Sequence, residues 1–284
     1  MVRRRPRGLW RPGDHEWDHP VMDLRGAKVL LTGATGGIGQ ALAEAFAARG
    51  GEVVLTGRRT DVLEPLADRL GGHAIAADLA DPDALERLLA EAGEIDVLVA
   101  NAALPASGLL SDYSTEEIDR ALDVNLRAPI VMAKLVGEAM SARGRGHLVF
   151  ISSLAGKTAS GQASLYNATK FGMRGFALAL REDLRPHGVG VSTVFPGFIR
   201  DAGMFAEAKV DLPRGIGTRS PRDVARATLR AIDKNLAEVD VAPLSLRVGA
   251  LIGGAAPGLA AAIQRRAGSD KITQGLAQGQ RGKR

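Results

Sequence analysis

From Lys28 onward, short apolar runs rich in β-branched residues alternate with longer stretches whose apolar residues recur at helical spacing. That alternation constrains the fold more than any other feature, because strand–helix–strand repeats build parallel βαβ units whose helices cover both faces of one sheet. The pattern predicts strands near 28–32, 52–56, 73–77, 95–100, 146–152, 188–195 and 238–242. It predicts helices near 37–49, 61–70, 82–91, 115–142, 164–185 and 221–236. Ser114-Thr115-Glu116-Glu117 and Ser220-Pro221-Arg222-Asp223 supply hydroxyl caps, an N1 proline and early acids at two of these starts. No internal repeat is visible. Right-handed crossovers through this many units give an α/β doubly wound sheet, a single domain of seven parallel strands with helices on both faces. Ligands of such sheets bind beyond the carboxyl ends of the strands.

The first strand runs into Thr32-Gly33-Ala34-Thr35-Gly36-Gly37-Ile38-Gly39 and then directly into a helical pattern. Glycines there allow a tight turn and let backbone N–H groups at a helix N-terminus approach a pyrophosphate, which the helix dipole also favours. A dinucleotide site is therefore expected. The end of the second strand reads Thr56-Gly57-Arg58-Arg59, with no acid to accept from a ribose 2′-hydroxyl; Asp61 comes too late. Guanidinium groups bind phosphate in a bidentate fork, so Arg58, with Arg59 beside it, points to NADP(H).

Tyr166 and Lys170 are four apart in a helical pattern and so lie one turn apart on one face. Free tyrosine titrates near about 10, too high for a base at neutral pH, and a neighbouring ammonium is expected to bring it down by favouring the phenolate.

The TGxxxGxG spacing of the glycine loop and the YxxxK element of Tyr166-Asn167-Ala168-Thr169-Lys170 resemble the short-chain dehydrogenase/reductase family, in its single-domain branch. The resemblance implies a Rossmann-type NAD(P)-dependent oxidoreductase. It implies that Gly33, Thr35, Gly36, Gly37, Ile38 and Gly39 form the phosphate loop, and that Asp78 and Leu79 meet the adenine. Asn101-Ala102-Ala103 corresponds to the family's NAG element, with Ala103 where many members have glycine. Ser153, thirteen residues before Tyr166, corresponds to the serine that donates to the substrate oxygen, with Ser152 as its neighbour. Asn125 corresponds to the helix asparagine that helps order a water in the proton relay. The implied catalytic set is thus Asn125, Ser153, Tyr166 and Lys170, with Tyr166 as acid/base and with Tyr166 and Lys170 also meeting the nicotinamide ribose. Phe195-Pro196-Gly197 resembles the turn beside the nicotinamide, which brings in Pro196, Gly197 and Ile199 as cofactor contacts. A threonine that often follows is replaced by Asp201, so its carboxamide contact does not carry over.

The function expected on these grounds is an NADP(H)-dependent oxidoreductase interconverting a carbonyl and an alcohol. A catalytically silent NADP(H)-binding regulator of the same fold is the alternative, and its signature would be a broken tetrad. A sugar-nucleotide epimerase would want a larger substrate domain after the sheet. The segment from Gly197 to Ser220 is expected to set substrate choice, with Phe198, Met204 and Phe205 offering apolar surface. His147 and His187 are expected to be surface histidines.

Charge excludes one further class. The chain of 284 residues carries a formal +5. Residues 1–21 hold +2 and residues 264–284 hold +5, which leaves the body at −2. A body without a basic face argues against nucleic-acid binding. Cysteine is absent, which removes disulfides, Cys-ligated zinc and thiol nucleophiles, and no metal site is expected. Residues 1–21 read as a disordered basic extension without the apolar run of an export signal, and Met22 as a plausible start. Residues 22–243 read as the catalytic domain and 244–284 as an apolar segment with a basic tail. Val248 to Gln264 is charge-free but short and interrupted by Pro257, so it suits a helix over the sheet edge or a peripheral membrane contact better than a span. A cytoplasmic location, a small, lipophilic carbonyl or alcohol substrate and, from the resemblance, a homodimer or homotetramer complete the expectations.

Overall fold

The computed structural model describes residues 22–208, 217–266 and 270–280. Seven strands form one parallel sheet in the order β3-β2-β1-β4-β5-β6-β7. They are β1 (Lys28–Thr32), β2 (Glu52–Gly57), β3 (His73–Ala76), β4 (Val97–Ala100), β5 (Gly146–Ile151), β6 (Val189–Pro196) and β7 (Glu238–Val241). Between them run α1 (Gly37–Ala48), α2 (Thr60–Leu70), α3 (Pro82–Ala92), α4 (Thr115–Leu122), α5 (Ala128–Arg143), α6 (Ser164–Leu184), α7 (Gly203–Ala208) and α8 (Pro221–Asp233). After β7 come α9 (Leu244–Ala255), α10 (Pro257–Arg266) and α11 (Asp270–Gln280). The expected basic extension, residues 1–21, lies outside the described residues.

The sheet buries both faces because alternate residues of each strand meet different helices. Val29 and Leu31 of β1 pack with Leu42 and Phe46 of α1, Leu63 of α2 and Val224 of α8. Leu30, between them, packs with Leu85 of α3, Met132 of α5 and Met173 of α6. Period-2 alternation explains this sorting, and each fully buried aliphatic side chain contributes about 1.5–3 kcal/mol.

Both expected capping boxes form. Ser114 Oγ accepts from the Glu117 N–H while Glu117 accepts from the Ser114 N–H, and Ser220 and Asp223 do the same at α8. The helix expected over 115–142 is divided. Asp123–Arg127 forms a π-helical turn between α4 and α5, a widening commonly found at functional sites. The apolar segment after β7 folds as α9 and α10, separated where Pro257 cannot continue the preceding helix. Leu244, Leu251 and Leu259 remain exposed on it. Among the described residues no helix is long and apolar enough to cross a membrane.

His147 departs from its surface expectation. It is 3% exposed on β5, and its Nε2 lies 2.8 Å from Ser192 Oγ. Burial, together with the charge of Arg181, holds its imidazole down at about 3. The residue opens a strand, but β5 is interior to the sheet, so even its first side chains are covered. His187 is exposed, as expected.

Candidate active site

The glycine loop leaves β1 and enters α1 without a side-chain cap. Gly36 is the N-cap, and the first turn holds no acid, so its N–H groups and the positive dipole end stay available to an anion. The glycines are required by space. Gly33 sits at φ +64, where a Cβ would come within 2.7 Å of Ala102 Cα. A Cβ at Gly39 would run into Gly33 O, and one at Gly37 into Ala202. This cradle fits a dinucleotide pyrophosphate.

The ends of β1 and β4 are stitched together across the loop. Asn101 Nδ2 donates to the carbonyls of Thr32 and Gly33 at 3.0 and 3.1 Å, and Thr32 Oγ1 accepts from the N–H groups of Asn101 and Ala102 at 3.0 Å each. Asn101 thus braces the phosphate loop from a neighbouring strand rather than capping its own turn. Leu79 is buried. Asp78 accepts from the Ala80 N–H at 3.1 Å and pairs with Arg120 of α4 at 2.7 Å. Burial works to raise its carboxyl, but the hydrogen bonds from Arg120 and Ala80 hold it below the usual range, with Arg58 adding a smaller electrostatic pull. At the end of β2, Arg58 and Arg59 are exposed, and Arg59 donates to Thr35 O in the phosphate loop at 2.6 Å.

On the other side of the β1–β4 boundary, β5 delivers Ser152 and Ser153 and α6 delivers Tyr166 and Lys170 to one cavity of about 610 Å³. Ile38, Asn101, Pro196, Gly197 and Ile199 line it too, which brings the expected nicotinamide contacts together with Ser153, Tyr166 and Lys170. Phe198 and Phe205 also line it, their rings 5.0 Å apart. The side chain of Met204 lies outside the described residues.

Ser153 and Tyr166 line the same cavity wall, near enough for the serine hydroxyl to act on the phenol. Lys170 Nζ lies 5.6 Å from the Tyr166 ring centroid and donates to Ile151 O at 3.3 Å. The expected lowering of Tyr166 is reversed. Burial pushes its phenol up to about 12, with the Ser153 hydrogen bond pulling the other way, and burial brings Lys170 down to about 8. Desolvation penalises whichever form is charged, so it moves a phenol up and an ammonium down together. Asn125 does not line this cavity. Its side chain on the π turn is 1% exposed and engages the backbone of Leu104 at both ends. Asp201 is exposed at φ 70 and pairs with Arg200 at 3.4 Å.

Three positioning residues have little sequence signal. Asn167 donates to Ala155 O at 2.6 Å and Thr158 O at 3.1 Å and accepts from the Ser160 N–H at 3.3 Å, shaping the loop after Ser153. Lys157 anchors the same loop to β7 through Asp240 at 2.7 Å and Glu238 at 2.9 Å. Arg120 holds Asp78. Of these only Asn167, beside Tyr166, stands inside a motif.

Comparison with known proteins agrees with this geometry. The family described as short chain dehydrogenase matches residues 27–212. The chain is 36% identical over 227 residues to the ketoacyl reductase HetN of Nostoc sp., covering 77% of this chain and 79% of that protein. It is 35% identical over 184 residues to the 3-oxoacyl-[acyl-carrier-protein] reductase FabG of Escherichia coli K12, covering 63% of this chain and 75% of FabG. A solved short-chain dehydrogenase from Sphingobium yanoikuyae in complex with NADPH superposes with a TM-score of 0.69 at 30% identity, covering 88% of this chain and 94% of that one. The chain belongs to the short-chain dehydrogenase/reductase family of oxidoreductases.

Proposed function

We propose that this chain is an NADP(H)-dependent oxidoreductase that interconverts a carbonyl and an alcohol, with Tyr166 as the acid/base. The observation that carries the reading is the convergence of Ser153, Tyr166 and the buried Lys170 on one cavity shared with Asn101, Pro196 and Gly197. Gly33, Thr35 and Gly36 to Gly39 would hold the pyrophosphate, Asp78 and Leu79 the adenine end, and Tyr166 and Lys170 the nicotinamide ribose. Bound there, the cofactor supplies a hydride. In reduction, Ser153 donates a hydrogen bond to the substrate oxygen and Tyr166 passes its proton to the alkoxide that forms. A phenol held near about 12 is protonated at neutral pH and ready to donate. The Lys170 ammonium favours the phenolate left behind. Asn125 acts through Leu104, and the filled tetrad disfavours a silent regulator.

NADP(H) preference rests on Arg58, exposed just after β2 in a strand end, Thr56 to Arg59, that carries no acid, while Arg59 is tied to Thr35. The NADPH complex of the Sphingobium enzyme supports the same choice. Exposed Leu135 on α5 and exposed Phe171 and Leu178 on α6 support assembly through those helices as a dimer or tetramer. Peripheral membrane contact rests on the exposed leucines of α9 and α10 followed by basic residues. The deciding test is a panel of carbonyls with NADPH and NADH, run on the wild type and Tyr166→Phe; undiminished turnover in that variant overturns the mechanism.

A further inference from the structure

The cavity extends well beyond the reacting groups, and the segment after β7 builds its outer part. Leu246, Val248, Gly249 and Ile252 of α9 line it, as do Thr273 and Leu276 of α11. Lys170 is the one charged side chain among the described lining residues, and it lies at the catalytic end. Among the described residues, the outer part therefore offers no cation for a carboxylate or phosphate and no acid for an amine.

This outer wall is seated on the protein rather than laid loosely beside it. A Cβ at Gly253 would run into Thr158 Oγ1, so α9 lies directly on the loop that follows Ser153. Leu246 and Ala250 of α9 pack with Leu154, Phe195 and Ala242. On the far side, α11 packs on α7, with Ala208 Cα only 2.6 Å from where a Cβ of Gly279 would sit.

The apolar lining continues to the surface. Val248 and Ile252 both line the cavity, yet are 46% and 37% exposed, which places them at its mouth. On the same helix Leu244 and Leu251 are 70% and 73% exposed. A polar substrate would leave this surface against water; an apolar chain would cover it.

Resting on the reductase reading above, we propose that the substrate carbonyl is carried on an apolar chain that lies against α9 and α11, so that the C-terminal helices gauge chain length. An oxoacyl compound or an aliphatic ketone has this chemistry. Each methylene buried along the wall is expected to raise kcat/KM about fourfold until the cavity is full.

The test is a series of methyl ketones from butanone to dodecanone with NADPH. It is paired with calorimetric titration of the matching alkyl amides, which needs no turnover. Gly249→Leu puts a side chain where a Cβ meets nothing within 4 Å and where leucine is the better helix former, so folding is preserved. It should end the chain-length gain several methylenes earlier, so that the long ketones lose far more than butanone does. Leu276→Asn should flatten the gradient for both ketones and amides. Equal kcat/KM and equal amide affinity across the wild-type series, or a uniform loss in Gly249→Leu, overturns the tail site. An amide gradient without reduction of any ketone upholds the tail site and rejects the reductase reading.

Discussion

Asn125 holds Leu104 at both ends of its side-chain amide: Oδ1 accepts from the Leu104 N–H at 2.6 Å, and Nδ2 donates to the Leu104 carbonyl at 2.9 Å. The two residues are 21 apart in sequence and both buried, so this pair fixes the chain leaving β4 against the π turn. Asn125→Ala leaves two buried backbone groups unpaired, at about 1–3 kcal/mol each. Asn125→Asp keeps the shape but sets an oxygen against the Leu104 carbonyl. Denaturant midpoints should therefore fall in both variants, with no rescue by the isosteric aspartate; a fully stable aspartate variant would contradict the clamp.

Tyr166→Phe removes the proton donor while keeping the ring. Reduction should drop by at least about a hundredfold, the lower range for a positioned acid/base, with NADPH affinity falling far less, by the loss of one ribose contact. Lys170 sets the pH profile. As pH rises through about 8 its ammonium loses its proton, so kcat/KM for reduction should hold below that point and decline above it. Alcohol oxidation, which needs the phenolate, should instead gain with pH. A reduction profile flat to pH 10 would remove Lys170 from the proton chemistry.

Arg58→Ala should weaken NADPH at least tenfold and NADH hardly at all, because only NADPH carries the 2′-phosphate that the guanidinium would clamp. Equal losses for the two cofactors, read by fluorescence titration, would reject that clamp. Arg120→Ala should weaken both, since it frees Asp78 without touching the phosphate end.

His147 should make the protein acid-sensitive. Its folded pKa is about 3 against an ordinary 6.5, so between those values the unfolded chain binds a proton that the folded one refuses. Stability contributed by the neutral ring is present above pH 6.5 and is lost as pH falls toward 3, at up to about 1.4 kcal/mol per pH unit. His147→Gln lowers stability at pH 7 but should shrink the drop between pH 7 and pH 4. Urea midpoints at both pH values measure this, and an undiminished drop would assign it to other groups.

The exposed leucines of α9 give a vesicle prediction. The full chain should co-float with anionic liposomes, and Leu244→Gln together with Leu251→Gln should release it. Identical flotation of the two proteins would exclude membrane contact through this face.

The sheet and most of the site were legible because they rest on local patterns. The alternation of apolar runs with helical periods located the seven strands, caps marked Ser114 and Ser220, and spacing paired Tyr166 with Lys170. What was not legible depends on depth and on distant partners. Nothing in a strand-opening histidine says that β5 lies inside the sheet, so His147 read as exposed. The Tyr166 phenol was expected to fall on account of Lys170, whereas the burial that raises it is a property of the assembled fold. The π turn at Asn125 looks like continuous helix in sequence, because no glycine or proline breaks the stretch from Thr115 to Ala128. Lys157 and Arg120 are ordinary cations until β7 and Asp78 arrive beside them.

The strand order has a consequence for synthesis. The phosphate loop, Arg58 and Asp78 all emerge with β1 to β4, whereas Ser153, Tyr166 and Lys170 emerge later and add their strands on the far side of β4. A nascent chain halted near Arg143 would hold the nucleotide cradle with no proton donor, and no product of translation ending before Tyr166 could use that residue to turn over substrate. Once the chain is complete, a dinucleotide spanning both halves would act as a staple between early-made and late-made segments. Ligand that binds only the folded state adds stability by mass action, so the supply of the nicotinamide cofactor proposed above would govern how long this protein survives as well as how fast it works.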